Sequence, residues 1–226
     1  MKVLDMFSGL GGFSQAFKDR GHDVVTIDIE KKFNPTICTD IMKITPKELI
    51  EGYGEFDIVL ASPPCNCFSV ASEYRHWDKK TKKPKDQQTR EAIKLIGHTI
   101  NMIMNLQPRF WILENPRGML RNVLGKPTVT TFFASWGHWA LKPTDLWGVH
   151  PEIDWKKPKK WEKAPRGSKT GVQGINGNKY QKAYPENMSM KVRKPELRAL
   201  IPYELSMAIC IACEKELNRE LLMKGN

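Results

Sequence analysis

The sequence predicts an α/β fold with a mostly parallel sheet and helices on both faces. Two observations predict it. Short apolar runs alternate with helix-like segments through the first 115 residues, and each run ends in a loop that contains Gly, Pro or an acidic residue. Ligands bind at the carboxyl ends of the strands in such sheets, so the loops after these runs form the candidate site.

The strands and helices are predicted from their apolar spacing. Strands are expected at 3–7, 23–27, 56–60 and 109–113, with a further candidate at 128–136. Helices are expected at 13–18, at 46–50 with Thr45 as the cap, at 89–106, and at 202–222. We therefore assign residues 1–141, completed by the helix at 202–222, to one main domain.

Residues 142–195 have a different composition, rich in Lys, Pro, Gly and Trp, with neither the helical nor the strand period. This composition and the lack of a period predict an irregular module rather than a sheet or a helical bundle. Between Lys142 and Arg198 there are 14 Lys and Arg against 6 Asp and Glu, a net of +8 in a chain of net charge +11. A second basic run spans 75–85. This charge, interleaved with aromatic residues, indicates a nucleic-acid partner, and a merely cationic surface is the alternative.

The composition also excludes several classes of protein. The 226 residues are 40% hydrophobic and contain no apolar stretch of the roughly 18–20 residues that a bilayer span requires. The chain opens into a strand-like run without the features of a secretory signal, so we expect a soluble, cytoplasmic monomer. The five cysteines do not suit a disulfide framework. The spacings of Cys65 with Cys67 and of Cys210 with Cys213 favour plain thiols over zinc, so we expect no metal.

The first two loops suit a nucleoside-like ligand. Glycines in the segment 7–12 permit a sharp turn and close approach, and the helix that follows offers free amides to an anionic group; a plain tight turn is the alternative. Asp28, after the second strand, can accept the hydroxyls of a ribose. Asp40 can hold an adenine amino group. Both aspartates are also compatible with an ordinary solvated turn or strand end.

The other two loops carry reactive groups. Pro63 and Pro64 stiffen the approach to Cys65, and a thiol held at the edge of a sheet suits a nucleophile, with a buried structural cysteine as the alternative. Glu114 and Asn115 follow the apolar run at 110–113. If the two strands are neighbours, Glu114 lies beside the Cys65 loop; a helix-capping carboxylate is the alternative.

Taken together, these loops resemble the cytosine-5 DNA methyltransferase family. Residues 7–12 resemble its cofactor loop, residues 64–69 (Pro-Cys-Asn-Cys-Phe-Ser) its nucleophile loop, and residues 114–115 its catalytic glutamate motif. Asp28 and the pair Asp40-Ile41 stand where the family's ribose and adenine contacts occur. The likeness covers residues 1–120, and the segments 142–147 and 164–168 are similar to a compact phage or prophage branch.

The resemblance implies a Rossmann-like S-adenosylmethionine-dependent methyltransferase fold, with 142–195 as a reduced target-recognition region. It implies that Cys65 adds to carbon 6 of a flipped-out cytosine while Glu114 binds ring nitrogen 3, and that carbon 5 takes the methyl group. The implied catalytic residues are Cys65, Glu114, Asn115 and Lys142. The implied cofactor residues are Phe7, Ser8, Gly9, Leu10, Gly11, Gly12, Asp28, Ile29, Asp40, Ile41 and Pro64.

The sequence also departs from the family pattern. Pro116 stands where valine is more common, the helix at 202 lacks its usual asparagine entry, and the family's Arg-x-Arg motif is not evident. Lys142 either replaces the first of those arginines or is an ordinary surface lysine. DNA is the expected substrate. The alternatives are an RNA (tRNA) cytosine-5 methyltransferase, a catalytically inactive nucleic-acid-binding relative, and an enzyme that transfers a group larger than methyl. Evasion of host restriction is one role open to such an enzyme, and the sequence alone does not determine it.

Overall fold

The computed structural model describes residues 1–138, 141–156, 172–173, 179–180, 197 and 199–224. The strands of its main sheet are β1 (Lys2–Met6), β2 (Asp23–Asp28), β3 (Ile37–Cys38), β4 (Ile58–Ala61), β5 (Phe110–Pro116), β6 (Val129–Phe132) and β7 (Pro143–Val149). Their order within the described residues is β3-β2-β1-β4-β5-β7-β6. The first five strands are parallel, and β7 runs antiparallel to both of its neighbours. The predicted α/β class with a mostly parallel sheet is confirmed.

The helices are α1 (Gln15–Asp19), α2 (Pro46–Tyr53), α3 (Glu73–His76), α4 (Gln87–Leu106), α5 (Arg121–Leu124) and α6 (Tyr203–Lys224). Thr45 caps α2 as predicted: its hydroxyl accepts from the Glu48 amide, and the Glu48 side chain accepts from the Thr45 amide. Asp86 caps α4, which therefore begins two residues before its predicted start. Among the described helices, none is long and apolar enough to cross a bilayer.

Two hydrophobic clusters cover the two faces of the sheet because successive strand residues point to opposite sides. On one face Leu4 and Met6 of β1 join the buried side of α4, including Ile103. On the other face Val3 joins α1 and the apolar side of α6, including Leu205. The Ser206 hydroxyl donates to the Phe13 carbonyl at 2.6 Å. This packing returns the end of the chain to the first strand.

Two predicted boundaries were wrong. β5 does not end at residue 113 but continues to Pro116, and β7 lies inside the sheet although residues from 142 onward were assigned to an irregular module. The apolar pattern missed these segments because they carry buried polar residues. Asp145 of β7, for example, is fully buried yet accepts two bonds from Arg121, each at 2.6 Å.

The candidate strand at 128–136 is also shorter than predicted, because β6 ends at Phe132 and a 3₁₀ turn follows from Phe133 to Trp136. Within the region expected to be irregular, Val172–Gln173 (β8) pairs antiparallel with Lys179–Tyr180 (β9). Trp161, Tyr184 and the remaining part of that predicted recognition region lie outside the described residues.

Candidate active site

A cavity of about 610 Å³ opens at the carboxyl ends of β1, β4 and β5. This volume lies within the roughly 300–1,000 Å³ typical of small-molecule sites. The cavity is lined by residues of four loops and of the segment before α6: Asp5, Phe7, Ser8, Gly9, Leu10, Gly12, Phe13, Glu30, Lys32, Phe33, Ser62, Pro63, Pro64, Cys65, Asn66, Ser69, Glu114, Pro116, Lys142, Ala199, Leu200 and Ile201.

The glycine turn (residues 7–12) forms one wall. The Gly11 amide donates to the Ser8 carbonyl at 2.7 Å, and the Gly9 amide donates to the Asp28 carboxylate at 2.8 Å. Gly9 and Gly11 have φ of 49° and 77°, and a Cβ on either would meet no atom within 4 Å. The turn therefore leaves open space beside its backbone, as close approach of a ligand requires.

Gly12 has a different role, because a Cβ there would lie 2.8 Å from the Ile201 carbonyl oxygen. The absence of a side chain lets the segment 199–201 pack against the glycine turn. Because α6 packs against α1, residues 199–201, which come late in the sequence, form part of the cavity wall.

The loop of residues 62–69, called the nucleophile loop here after the role predicted for Cys65, forms the opposite wall. Cys65 is half-buried and lines the cavity, and its carbonyl accepts from the amides of Phe68 and Ser69 at 3.0 and 3.1 Å. Distant side chains hold the rest of the loop. Asn115 donates to the Pro63 carbonyl at 3.0 Å, and the Trp77 indole donates to the Cys67 carbonyl at 2.6 Å.

Cys65 and Cys67 differ although they are only two residues apart. Cys67 is buried, and burial raises the pKa of its thiol, which keeps it protonated. Cys65 instead faces the cavity. The arrangement distinguishes a thiol available to a ligand from one that packs in the core.

Glu114 lies on β5 beside the nucleophile loop and is 4% exposed. Burial raises the pKa of its carboxyl, opposed by the positive charge of Lys142 and by a hydrogen bond from Ser62, while Asp145 raises it further. One carboxyl oxygen, Oε2, accepts from the Ser62 hydroxyl at 3.2 Å. The other, Oε1, is buried and has no hydrogen-bond partner among the described residues. Such a group can hold a proton and donate it to a ligand.

Lys142 directly precedes β7 and brings a positive charge to the cavity. Its ammonium lies 4.2 Å from the centre of the Phe133 ring and 3.4 Å from the Ala199 carbonyl oxygen. It lines the cavity with Cys65 and Glu114. The structure thus brings these three predicted catalytic residues together. Asn115, the fourth predicted catalytic residue, is fully buried and absent from the cavity lining, and its side chain binds the backbone of the loop that carries Cys65.

The predicted cofactor residues divide into two groups. Phe7, Ser8, Gly9, Leu10, Gly12 and Pro64 line the cavity. The others are absent from its lining. Gly11 lies within the turn, and Asp28 binds the amides of Gly9 and Glu30. Ile29 is 66% exposed, Asp40 caps a 3₁₀ turn, and Ile41 packs in the core.

Several cavity residues were not predicted. Glu30, Lys32 and Phe33 follow Asp28 in the same loop, so their position after β2 was the available signal. Residues 199–201 gave no signal, because their place depends on how α6 packs. Asp5 is 1% exposed; burial raises its pKa to about 7, although Ser14 donates to one of its oxygens at 2.5 Å.

A cluster of three side chains of the types that ligate metals lies away from the cavity. One ligand atom from each of His22, Cys210 and Glu214 lies within 4.8 Å of the others. Arg20 binds both oxygens of Glu214, at 2.8 and 2.6 Å, and His22 binds one at 2.8 Å. Burial raises the pKa of Cys210 to about 12, so the thiol is protonated. These contacts favour an ion-pair cluster that fixes α6 to the chain before β2.

The sheet order, the glycine turn and the cavity at the carboxyl ends of the strands together define a Rossmann-like α/β protein. The chain belongs to the C-5 cytosine-specific DNA methylase family, whose model matches residues 1–135.

Two curated relatives share 30% identity with the chain. One is the Type II methyltransferase M.XorII of Xanthomonas oryzae pv. oryzae, matched over 131 residues that make up 51% of this chain and 28% of that protein. The other is the "Probable DNA (cytosine-5)-methyltransferase" of Frog virus 3, matched over 156 residues, 65% of this chain and 70% of that protein. The chain thus spans less than a third of the bacterial relative. Among solved structures, the Entamoeba histolytica methyltransferase EhMeth has a TM-score of 0.48 and 17% identity, over 70% of this chain and 57% of that one.

Proposed function

We propose that the protein is an S-adenosylmethionine-dependent DNA cytosine-5 methyltransferase with Cys65 as its nucleophile. The observation that carries this proposal is that Cys65 and Glu114 line one cavity with the glycine turn. They lie 49 positions apart in the sequence, and the parallel pairing of β4 with β5 brings them together. The reaction requires a thiol, a carboxyl that can supply a proton, and open space for a nucleoside, and burial raises the pKa of the Glu114 carboxyl.

The cavity fits the proposed cofactor. The backbone at Gly9 and Gly11 has open space beside it, and one buried oxygen of Asp5 has no partner among the described residues. We propose that residues 7–12 and Pro64 hold the cofactor, with Asp28, Ile29, Asp40 and Ile41 at its ribose and adenine. When bound, S-adenosylmethionine supplies an electrophilic methyl group. Lys32 and Glu30 add a charge of each sign to the same wall.

The residues of the chain divide the chemistry between them. The Cys65 thiolate forms a bond to carbon 6 of the cytosine, which moves electron density toward carbon 5. Glu114 donates a proton to ring nitrogen 3, so no negative charge accumulates on the ring. After carbon 5 is methylated, a base removes the carbon 5 proton, the bond to Cys65 breaks with departure of the thiolate, and the proton on ring nitrogen 3 returns to Glu114, which restores the neutral aromatic pyrimidine. The Lys142 ammonium favours the ionised form of Glu114 and so assists release of its proton.

DNA is the proposed partner, and a basic hairpin (residues 77–84) supports it. The hairpin is closed by a bridge between Trp77 and Pro84 and is tied to the nucleophile loop by the Trp77 indole. The ammonium groups of Lys79, Lys80 and Lys83 are exposed and make no contact within the described part of the chain. Three unpaired charges near a nucleophile suit phosphate contacts. A stacked base cannot reach Cys65, so the target cytosine is flipped out or single-stranded.

The test uses DNA that contains 5-fluorocytosine. With S-adenosylmethionine, the wild type should form an adduct that survives denaturing electrophoresis, because fluorine at carbon 5 prevents release of Cys65. Cys65→Ser should abolish it. Cys38→Ser is the matched control, because Cys38 is exposed and lies outside the cavity lining. Absence of any wild-type adduct would refute the proposal, and an adduct with fluorinated tRNA alone would change the substrate to RNA.

A further inference from the structure

We propose that Ser62 is a positioning residue that determines which oxygen of Glu114 carries the catalytic proton. The inference rests on the proposed function and assigns to that site a residue that the sequence patterns did not single out. It depends on three features of the structure: a fixed serine backbone, a contact from the serine hydroxyl to one oxygen of the glutamate, and a second glutamate oxygen that has no partner in the part of the chain that the structure describes.

The backbone of Ser62 is fixed because it continues the ladder of β4. Its amide donates to the Met6 carbonyl at 3.2 Å, one residue after the last residue of β4. Two residues of β5 then reach the loop side by side: Glu114 meets Ser62, and Asn115 binds the Pro63 carbonyl at 3.0 Å. Two adjacent residues of β5 therefore hold two adjacent residues of the loop in place.

The contact distinguishes the two oxygens of Glu114. Ser62 donates to Oε2 at 3.2 Å, so a lone pair of Oε2 is already used. A neutral carboxyl has one O–H group, and an oxygen that accepts from a hydroxyl is best left without the proton. The proton then resides on Oε1, which is buried and without a partner among the described residues. Oε1–H is the donor available to a ring nitrogen of the pyrimidine.

The same contact affects how firmly the proton is held. A hydrogen bond to Oε2 favours the ionised carboxylate, and it lowers a pKa that burial has raised. Removing the hydroxyl should therefore raise the pKa of Glu114 further. It should also leave the proton distributed over both oxygens, so that a smaller share of molecules presents Oε1–H to the substrate.

The experiment compares Ser62→Ala, Ser62→Thr and Ser135→Ala in single-turnover methyl transfer to DNA across a pH series. Ser135 is the matched control because it is half-buried, as Ser62 is, but lies outside the cavity lining. For Ser62→Ala we expect the rate to fall about tenfold, the alkaline limb of the pH–rate profile to move to higher pH, and cofactor affinity to stay unchanged. Ser62→Thr keeps the hydroxyl and should recover most of the rate. Ser135→Ala should leave the profile unchanged.

A double-mutant cycle separates positioning from general damage to the fold. In the Glu114→Gln background no proton remains to be placed, so adding Ser62→Ala should cost little more. Equal losses in both backgrounds, or a Ser62→Ala profile that matches wild type, would overturn the inference. If wild type itself forms no adduct with fluorinated DNA, the proposed function fails instead. If the wild type is active and Ser62→Ala has the same pH–rate profile, only the role assigned to Ser62 is refuted.

Discussion

The glycine turn and the nucleophile loop face each other across one cavity but are stabilised in different ways. The turn is held mainly by backbone contacts: the Ser8 amide binds the Ile27 carbonyl at 3.1 Å, and Gly11 binds Ser8 within the turn itself. The nucleophile loop is held by side chains from elsewhere in the chain, chiefly Asn115 and Trp77. The wall proposed to hold the cofactor (the cofactor wall) thus depends mainly on backbone bonds within the turn and to β2, whereas the wall with Cys65 and Glu114 (the catalytic wall) depends on side-chain bonds from β5 and from Trp77.

This difference has a consequence for mutation. Substituting a support of the nucleophile loop should misplace Cys65 or Glu114 while the cofactor wall keeps its shape. We therefore expect losses in turnover that are separate from losses in cofactor affinity.

The largest expected effect comes from Glu114→Gln. The substitution removes the proton donor from the catalytic wall, so kcat should fall about 10²–10³-fold, while the dissociation constant of S-adenosylmethionine stays within about twofold. Single-turnover kinetics and calorimetric titration measure the two quantities. Glu91→Gln, on the exposed side of α4, is the control. A comparable loss of cofactor affinity would mean that the two walls are not independent.

Asp5→Asn tests a side chain of the cofactor wall, which is otherwise held mainly by backbone contacts. Asp5 is a buried carboxyl. Its folded pKa of about 7 lies above the ordinary value of 3.8, so the folded state binds the additional proton between these values. The free energy of unfolding of wild type should therefore fall as pH rises from about 4 to 7, and this dependence should shrink in Asp5→Asn. Urea denaturation at several pH values measures it, with the exposed Asp154→Asn as the control. Parallel pH curves for wild type and Asp5→Asn would contradict the assignment.

Asn115→Ala removes a support of the nucleophile loop without touching the cavity. Loss of the bond to Pro63 should lower the free energy of unfolding by about 1–3 kcal/mol. It should also lower kcat by roughly tenfold to a hundredfold through displacement of Cys65. Asn105→Ala on α4, where the side chain binds only Asn101 of the same helix, provides the comparison. An unchanged kcat in Asn115→Ala would show that the loop holds its shape without this clamp.

The smallest effect on turnover is expected from Lys79→Gln, Lys80→Gln and Lys83→Gln combined. At low salt and saturating DNA, kcat should stay near wild type. The slope of log affinity against log salt should fall by about 2.7 for duplex DNA, because three phosphate contacts are lost. Fluorescence anisotropy over a salt series measures the slope. The triple variant Lys47→Gln, Lys94→Gln and Lys215→Gln carries the same charge change on exposed helix positions and should keep it. Equal slopes for the two triple variants would show that the basic hairpin does not contact the DNA phosphates.

The same division explains which features could be predicted from the sequence. The glycine turn, the Thr45 cap and α4 depend on neighbouring residues, so local patterns indicate them. Glu114 and Cys65 were identified by their residue types after apolar strands. Their meeting in one cavity depends on the pairing of β4 with β5, which a sequence pattern only suggests.

Residues whose place depends on tertiary packing were missed. β7 has Pro143 at its start and a buried ion pair at Asp145, so it lacks the apolar alternation that marks a strand. The contact of Ser62 with Glu114 joins residues 52 positions apart. Ile201 reaches the glycine turn only because Gly12 lacks a side chain and α6 packs on α1.

The start of α6 is also a junction. Lys156, which lies beyond β7, pairs with Glu204 of α6 at 2.7 Å, and Ala199 lies four positions before Tyr203. Lys156 and Ala199 therefore lie at the same corner of the scaffold. Lengthening or exchanging residues between two positions that lie close together costs little loop entropy, so we expect this corner to accept a different segment while the sheet and the cavity stay unchanged.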